Sequence, residues 1–141
     1  MDIWFDMDGT ITDLYADKDW LPKLTAHDPS PYANAKPLLN MQALARVLNR
    51  LVREGHTINV ISWLAKNSNE QYNREVEAIK RNWLKTHLAS VQFTQIDIVA
   101  YGTPKHENRN GILFDDEEKN RLAWGEGAYN TDNIIEILKS I

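Results

Sequence analysis

The 141-residue chain contains no cysteine. That excludes disulfides, zinc-thiolate centres and thiol nucleophiles, and leaves the redox compartment unread. No apolar run approaches the roughly 18 residues that a membrane span requires. The first residues pass straight into a short apolar segment without a basic and then apolar leader, so a cytoplasmic protein with no membrane partner is expected. The four histidines, His27, His56, His87 and His106, have no metal-ligand spacing and read as surface residues. A dense Lys/Arg block is also missing, and 20 acids against 16 bases leave a net charge of −4. Such a chain is a poor partner for nucleic acid or an acidic membrane surface, and bulk electrostatics favour a small ligand. There is no internal repeat or low-complexity tract. With 43% apolar and 26% charged residues, the composition is that of a globular chain able to build a core, and its length fits one domain over 1–141.

What is present begins with Ile3-Trp4-Phe5, an apolar start that reads as a buried strand and runs into Asp6-Met7-Asp8-Gly9-Thr10. Two carboxylates two residues apart would leave that strand together at its C-terminal end, where open α/β sheets keep their chemistry. Gly9 allows a tight exit from the strand, and Thr10 offers a hydroxyl and an amide to an anion. The bland alternative is an ordinary strand-to-turn exit in which Asp satisfies its own backbone. Residues 11–39 then hold four of the five prolines among polar and aromatic residues with no clean period. This predicts a long, irregular excursion from the sheet, of the kind that is functional or disordered.

Beyond it, Met41, Leu44, Ala45, Leu48, Leu51 and Val52 recur at helical spacing, with Gly55 as a stop. Thr57–Trp63 reads as a strand. Ser68-Asn69-Glu70-Gln71 has the S-x-x-Q form of a capping box, opening a helix with a stripe of Tyr72, Val76, Ile79, Trp83, Leu84 and Leu88. Ile96–Tyr101 and Gly111–Phe114 read as further strands, the second running directly into Asp115-Asp116. A last helix is expected over Asp132–Ser140, with Thr131 as its N-cap. Strands alternating with helices argue for a mainly parallel sheet covered on both faces.

Asp6 and Asp8, Ser62, Lys105 and Asp115-Asp116 all follow predicted strands, so a doubly wound sheet would bring them to one rim. Chemically the set suits phosphoryl transfer. One carboxylate can attack phosphorus, a second can move protons, and magnesium prefers hard oxygen ligands of this kind. A lysine and a hydroxyl can bind the remaining phosphate oxygens.

These pieces resemble the haloacid dehalogenase (HAD) superfamily of aspartyl-phosphate hydrolases. Its D-x-D-G-[TV] motif is met by Asp6-Met7-Asp8-Gly9-Thr10, its strand ending in Ser or Thr by Val60-Ile61-Ser62, and its paired acids by Phe114-Asp115-Asp116. For its lysine, Lys105 is the best placed candidate and Lys66 the rival. The resemblance implies a HAD-like Rossmannoid α/β fold with a short cap insert at about 11–39. It further implies Asp6 as nucleophile, Asp8 as general acid and base, and Thr10, Ser62 and Lys105 as phosphate binders. Mg2+ would be held by Asp6, the main-chain carbonyl of Asp8, and Asp115, with Asp116 acting through water or by orienting Lys105. Within the superfamily the motif contexts are most similar to the 5′(3′)-deoxyribonucleotidases. The implied activity is a phosphomonoesterase for a small substrate such as a nucleoside monophosphate. A phosphatase for polynucleotide ends and a non-catalytic phosphate-binding protein are the alternatives. Trp20 and Tyr32 could stack on a base or simply pack the excursion, and Trp63 could line the pocket mouth or belong to the core.

Overall fold

The computed structural model describes residues 1–141. Its centre is a five-stranded parallel sheet of β1 (Asp2–Phe5), β2 (Thr57–Trp63), β3 (Gln95–Val99), β4 (Ile112–Phe114) and β5 (Ala128–Tyr129), in the order β3-β2-β1-β4-β5. Strand order therefore reverses between β1 and β4, and the crevice at such a switch point is where open α/β sheets bind ligands. The segments predicted as strands are strands. The second has the expected bounds, the first begins one residue earlier at Asp2, the fourth one later at Ile112, and the third runs Gln95–Val99, leaving Tyr101 outside it and exposed. The short β5 carries too few residues to show a period and was not foreseen from the sequence.

Six helices accompany the sheet: α1 (Trp20–Thr25), α2 (Ser30–Ala33), α3 (Met41–Arg53), α4 (Glu70–His87), α5 (Glu118–Trp124) and α6 (Ile134–Lys139). Ile3, Phe5, Ile58, Val60, Ile112 and Phe114 point to one face, where they form the main core with Leu48 and Leu51 of α3, Trp83 and Leu84 of α4, and Leu138 of α6. Trp4, Ile61 and Leu113 point to the other face, under Trp124 of α5. The loop between β3 and β4 also crosses that face. Arg109 lies over the Trp4 ring at 5.3 Å and is held by Asp97 at 2.9 Å. Helices thus cover both faces, thickly on one and thinly on the other.

The α3 helix follows the expected spacing, and Asn40 caps it by accepting a hydrogen bond from the Ala43 amide at 3.0 Å. Two helix starts differ from the expectation. In α4 the capping residue is Asn69, whose side chain accepts from the Tyr72 amide at 2.8 Å, while Gln71 reaches forward to Glu75. Asparagine is as good an N-cap as serine, so the box pattern was displaced by one residue. The last helix begins only at Ile134, after Asn133, with no side-chain cap, so Thr131 does not serve as one.

Residues 11–39 are more ordered than their irregular pattern implied. They contain a 3-10 turn at Leu14–Ala16 as well as α1 and α2. Their two ends zip together through Asp13 N–H to Lys36 O (2.8 Å) and Leu38 N–H to Ile11 O (3.0 Å). Tyr32 of α2 and Leu14 pack on Tyr72 and Val76 of α4, and the Trp83 indole donates to Ala35 O at 2.8 Å. Short helices separated by prolines give no repeating period, which is why the sequence pattern concealed them.

Asn69→Ala should lower stability by about 1 kcal/mol in chemical denaturation, whereas Ser68→Ala should change it by less than about 0.5 kcal/mol. The reverse order would restore the capping box.

Candidate active site

The register of β1 sets the geometry. Phe5 pairs with Phe114 on one side and Val60 on the other, and the Asp6 amide continues the ladder to Phe114 O at 2.9 Å. Asp6 and Asp115 therefore leave neighbouring strands side by side. Alternation along β2 then divides the next two residues. Ser62 faces the α3/α4 side with Ile58 and Val60, and Trp63 faces the opposite side with Ile61.

On that opposite side the β3–β4 loop lowers Lys105 between the acids. Its ammonium donates to Asp6 Oδ1 and Asp115 Oδ2, each at 2.8 Å, and lies 5.2 Å from the Trp63 ring centre. Burial alone would pull the lysine pKa down, but the charges of Asp6 and Asp115 and their hydrogen bonds outweigh it and hold the pKa above its ordinary value. Lys66, the rival lysine, has no such position: it lies exposed at the cavity mouth, 5.9 Å from the Tyr101 ring centre.

Thr10 is buried, and its hydroxyl donates to Asp6 Oδ2 at 2.9 Å. It also accepts from the Asp116 amide at 3.2 Å, while the Thr10 amide bonds to Met7 O at 3.0 Å. Both groups expected to meet an anion are thus turned to the acids and the turn, because the loop leaves β1 too tightly to present them outward. Gly9 makes that tightness possible. It has φ +82°, and a Cβ there would overlap the Asp116 carboxylate and the Tyr15 ring.

Asp115 is fully buried and tied in place by the Glu117 amide (2.9 Å) and the Asn120 side chain (3.1 Å). Asn120 was missed in the sequence, where an asparagine on a short helix carries no distinguishing signal. Asp116 has no cationic partner. Burial, then its hydrogen bond and repulsion with Asp6 and the charge of Asp115, push its pKa up to about 8.

Oxygen atoms of Asp6, Asp115 and Asp116 lie within 4.8 Å of one another. Two of these carboxylates share Lys105 and the third has no cation, and all the ligand atoms are hard oxygens, so the set fits a divalent cation such as Mg2+ in charge and in chemistry. The side chain of Asp8 is not part of this trio.

Asp8 instead pairs with a lysine that the sequence reading did not single out. Lys80 of α4 is 2% exposed and donates to Asp8 Oδ2 at 2.8 Å, Ser62 Oγ at 2.7 Å and Trp63 O at 2.8 Å. Ser62 is wholly buried, and its hydroxyl meets this ammonium rather than the cavity. A signal for Lys80 was available: it occupies the i+4 place in the otherwise apolar series Tyr72, Val76, Lys80, Leu84.

The acids floor a cavity of about 310 Å³. The excursion 11–39 supplies one wall, including Tyr15, Trp20 and Leu24, and Trp63 and Tyr101 supply the other. Tyr15 meets Trp20 edge-on at 4.9 Å, and Trp63 meets Tyr101 at 5.1 Å. Trp63 both lines the cavity and is anchored, its indole donating to Thr103 O at 2.8 Å. Tyr32 borders the same cavity but is 5% exposed and packed against α4, so packing the excursion is its main duty and Trp20 is the freer ring. Of the histidines, His106 is exposed as expected. His27 is exposed too, bonded to Asn67 and Asn69 ahead of α4, whereas His56 and His87 are half-buried, the latter stacked on Trp83 at 4.0 Å.

No family model matches the chain, and no curated protein matches it. Among solved structures, the crystal structure of D,D-heptose 1,7-bisphosphate phosphatase from Burkholderia thailandensis is similar, with a TM-score of 0.58 and 12% identity. The match covers 99% of this chain and 96% of that one. At this identity the likeness is one of architecture, and it spans the sheet, the helices and the excursion alike. The chain has a HAD-like Rossmannoid α/β fold, the architecture that it shares with that structure.

Proposed function

We propose that the chain is a magnesium-dependent phosphomonoesterase that acts through an aspartyl-phosphate on Asp6. The observation that carries this reading is the meeting of Asp6, Asp115 and Asp116 at the floor of a cavity, with Lys105 bridging the first two, on a fold shared with a bisphosphate phosphatase. Asp6 attacks phosphorus, and the bond to the ester oxygen breaks with its electron pair going to that oxygen. Asp8 supplies the proton that the departing oxygen takes up. Water then attacks the phosphoryl group on Asp6, and Asp8 takes that water's proton, so inorganic phosphate leaves and both acids return to their starting state. Lys105 borders the cavity and neutralises phosphate oxygens. Thr10 orients Asp6, and Asn120 and the Glu117 amide orient Asp115. Asp6, Asp115 and Asp116, with the Asp8 carbonyl, would hold the magnesium, which when bound stabilises the charge of the transferring group.

The excursion 11–39 serves as a small cap in this reading, and its aromatic wall favours a substrate that carries a flat ring such as a base. A nucleoside monophosphate is the proposed substrate, in keeping with the resemblance to deoxyribonucleotidases. A polynucleotide end would need a basic track, for which the net charge of −4 leaves little. No helix is long and apolar enough to cross a membrane.

Asp6→Asn should reduce turnover by roughly 10³-fold or more, and Asp8→Asn by roughly 10²- to 10⁴-fold, with both proteins still folded by circular dichroism. Activity of Asp6→Asn within tenfold of wild type would remove Asp6 as nucleophile.

Chelator should abolish turnover, and calcium should restore it poorly, because its longer and looser coordination spoils in-line geometry. In thermal melts without metal, Asp116→Asn should gain about 1 kcal/mol, or roughly 4 °C, by relieving repulsion among the acids. Magnesium at a hundred times its dissociation constant should raise wild-type stability by about 2.7 kcal/mol and the variant less. Full activity in chelator would end the metal assignment.

Trp20→Ala should raise KM for nucleoside monophosphates several-fold with little change in kcat on a minimal aryl phosphate. Both parameters should respond weakly to salt. Steeply salt-dependent hydrolysis of oligonucleotide ends, with none of mononucleotides, would reverse the substrate preference.

A further inference from the structure

A lysine inside an apolar helix stripe is costly unless its ammonium is fully partnered. Lys80 meets that condition. Its three N–H groups have three acceptors, Asp8 Oδ2, Ser62 Oγ and Trp63 O, all within 2.8 Å, and the Tyr32 ring centre lies 5.0 Å away. A methionine would fill similar space without removing a charge from water. What the ammonium adds is a rigid link between α4, the end of β2 and the Asp8 carboxylate. The other restraint on Asp8 is weak: Thr12 Oγ1 lies 3.3 Å from Oδ1. Asp8 sits in a loop that has already left β1, so its aim depends on this link more than on its own backbone.

We propose that Lys80 is a positioning residue that holds Oδ2 of Asp8 so that Oδ1, which carries the proton when Asp8 acts as general acid, is fixed for transfer of that proton to the leaving oxygen, and that Ser62 serves mainly as an anchor for Lys80. This rests on the reading of Asp8 as general acid. Lys80 does not touch the acids around Lys105, and no atom of it needs to touch substrate. Its loss should therefore be felt in proportion to how much the leaving group needs a proton. 4-Nitrophenolate departs readily without one. An alkoxide does not.

The test is kcat/KM for 4-nitrophenyl phosphate, phenyl phosphate and an alkyl phosphate, with wild type, Lys80→Met, Lys80→Arg and Asp8→Asn. That parameter reports the steps up to phosphoryl transfer to Asp6. Lys80→Met should lose roughly 10²-fold on the alkyl ester and less than about tenfold on the nitrophenyl ester, with Lys80→Arg recovering part of the difference. In the Asp8→Asn background, Lys80→Met should add no further dependence on the leaving group, because both changes remove one function. Should Lys80→Met fail to melt cooperatively, Ser62→Ala is the second probe. It should give the same graded pattern at smaller size. Equal losses on all three esters, from Lys80→Met or from Ser62→Ala, would overturn the inference and return Ser62 to phosphate binding. Wild type without Asp6-dependent turnover would instead remove the phosphatase reading itself, so the two failures are distinct.

Discussion

The pairing of β1 with β4, Phe5 opposite Phe114, is the constraint on which the rest of the site depends. Because β1 is the middle strand and both neighbours run parallel to it, the residue after Phe5 and the residue after Phe114 emerge together at one end of the sheet. Two carboxylates at that separation repel each other unless a cation lies between them. The Lys105 ammonium supplies one charge, held 2.8 Å from each. That leaves Asp116 without a positive partner and its pKa raised, an electrostatic state that a divalent cation would relieve. A one-residue slip of β4 would send Asp115 to the opposite face and dismantle the arrangement.

Two lysines divide the labour of neutralising this acidic end. Lys105 arrives from a loop that crosses the thinly covered face of the sheet, and Lys80 arrives from α4 on the thick face. The alternation of β2 keeps them apart: Ser62 points toward Lys80 and Trp63 toward Lys105. Each acid of the D-x-D pair thus has its own cation. One is shared with the metal-type trio, and the other is tied to the packing of a long helix.

The excursion between β1 and α3 connects this chemistry to shape. Its ends are zipped by backbone hydrogen bonds and its middle is packed on α4 by Leu14 and Tyr32. The helix that carries Lys80 therefore also supports the cavity wall. Changes in the Tyr72–Val76 stripe should be transmitted to Asp8 and to the wall together, since both rest on one rigid element.

The sequence by itself determined the alternation of strands and helices, the rim where the acids collect, and the D-x-D-G-T and paired-acid motifs. These are local patterns: period two in the strands, period 3.6 in α3 and α4, and carboxylates that directly follow apolar runs. Helix boundaries were less legible: Ser68 and Asn69 compete for one capping role that falls to Asn69, and the last helix starts after Asn133 with no side-chain cap to mark it. The excursion was opaque because helices of four to six residues have no period to read. The partner of each acid was decided only in three dimensions. Lys105 over Lys66, Lys80 against Asp8, and the inward turn of Thr10 and Ser62 all depend on contacts across 4 to 99 residues of chain. Ion pairing follows distance and burial, and neither is written in the order of the residues.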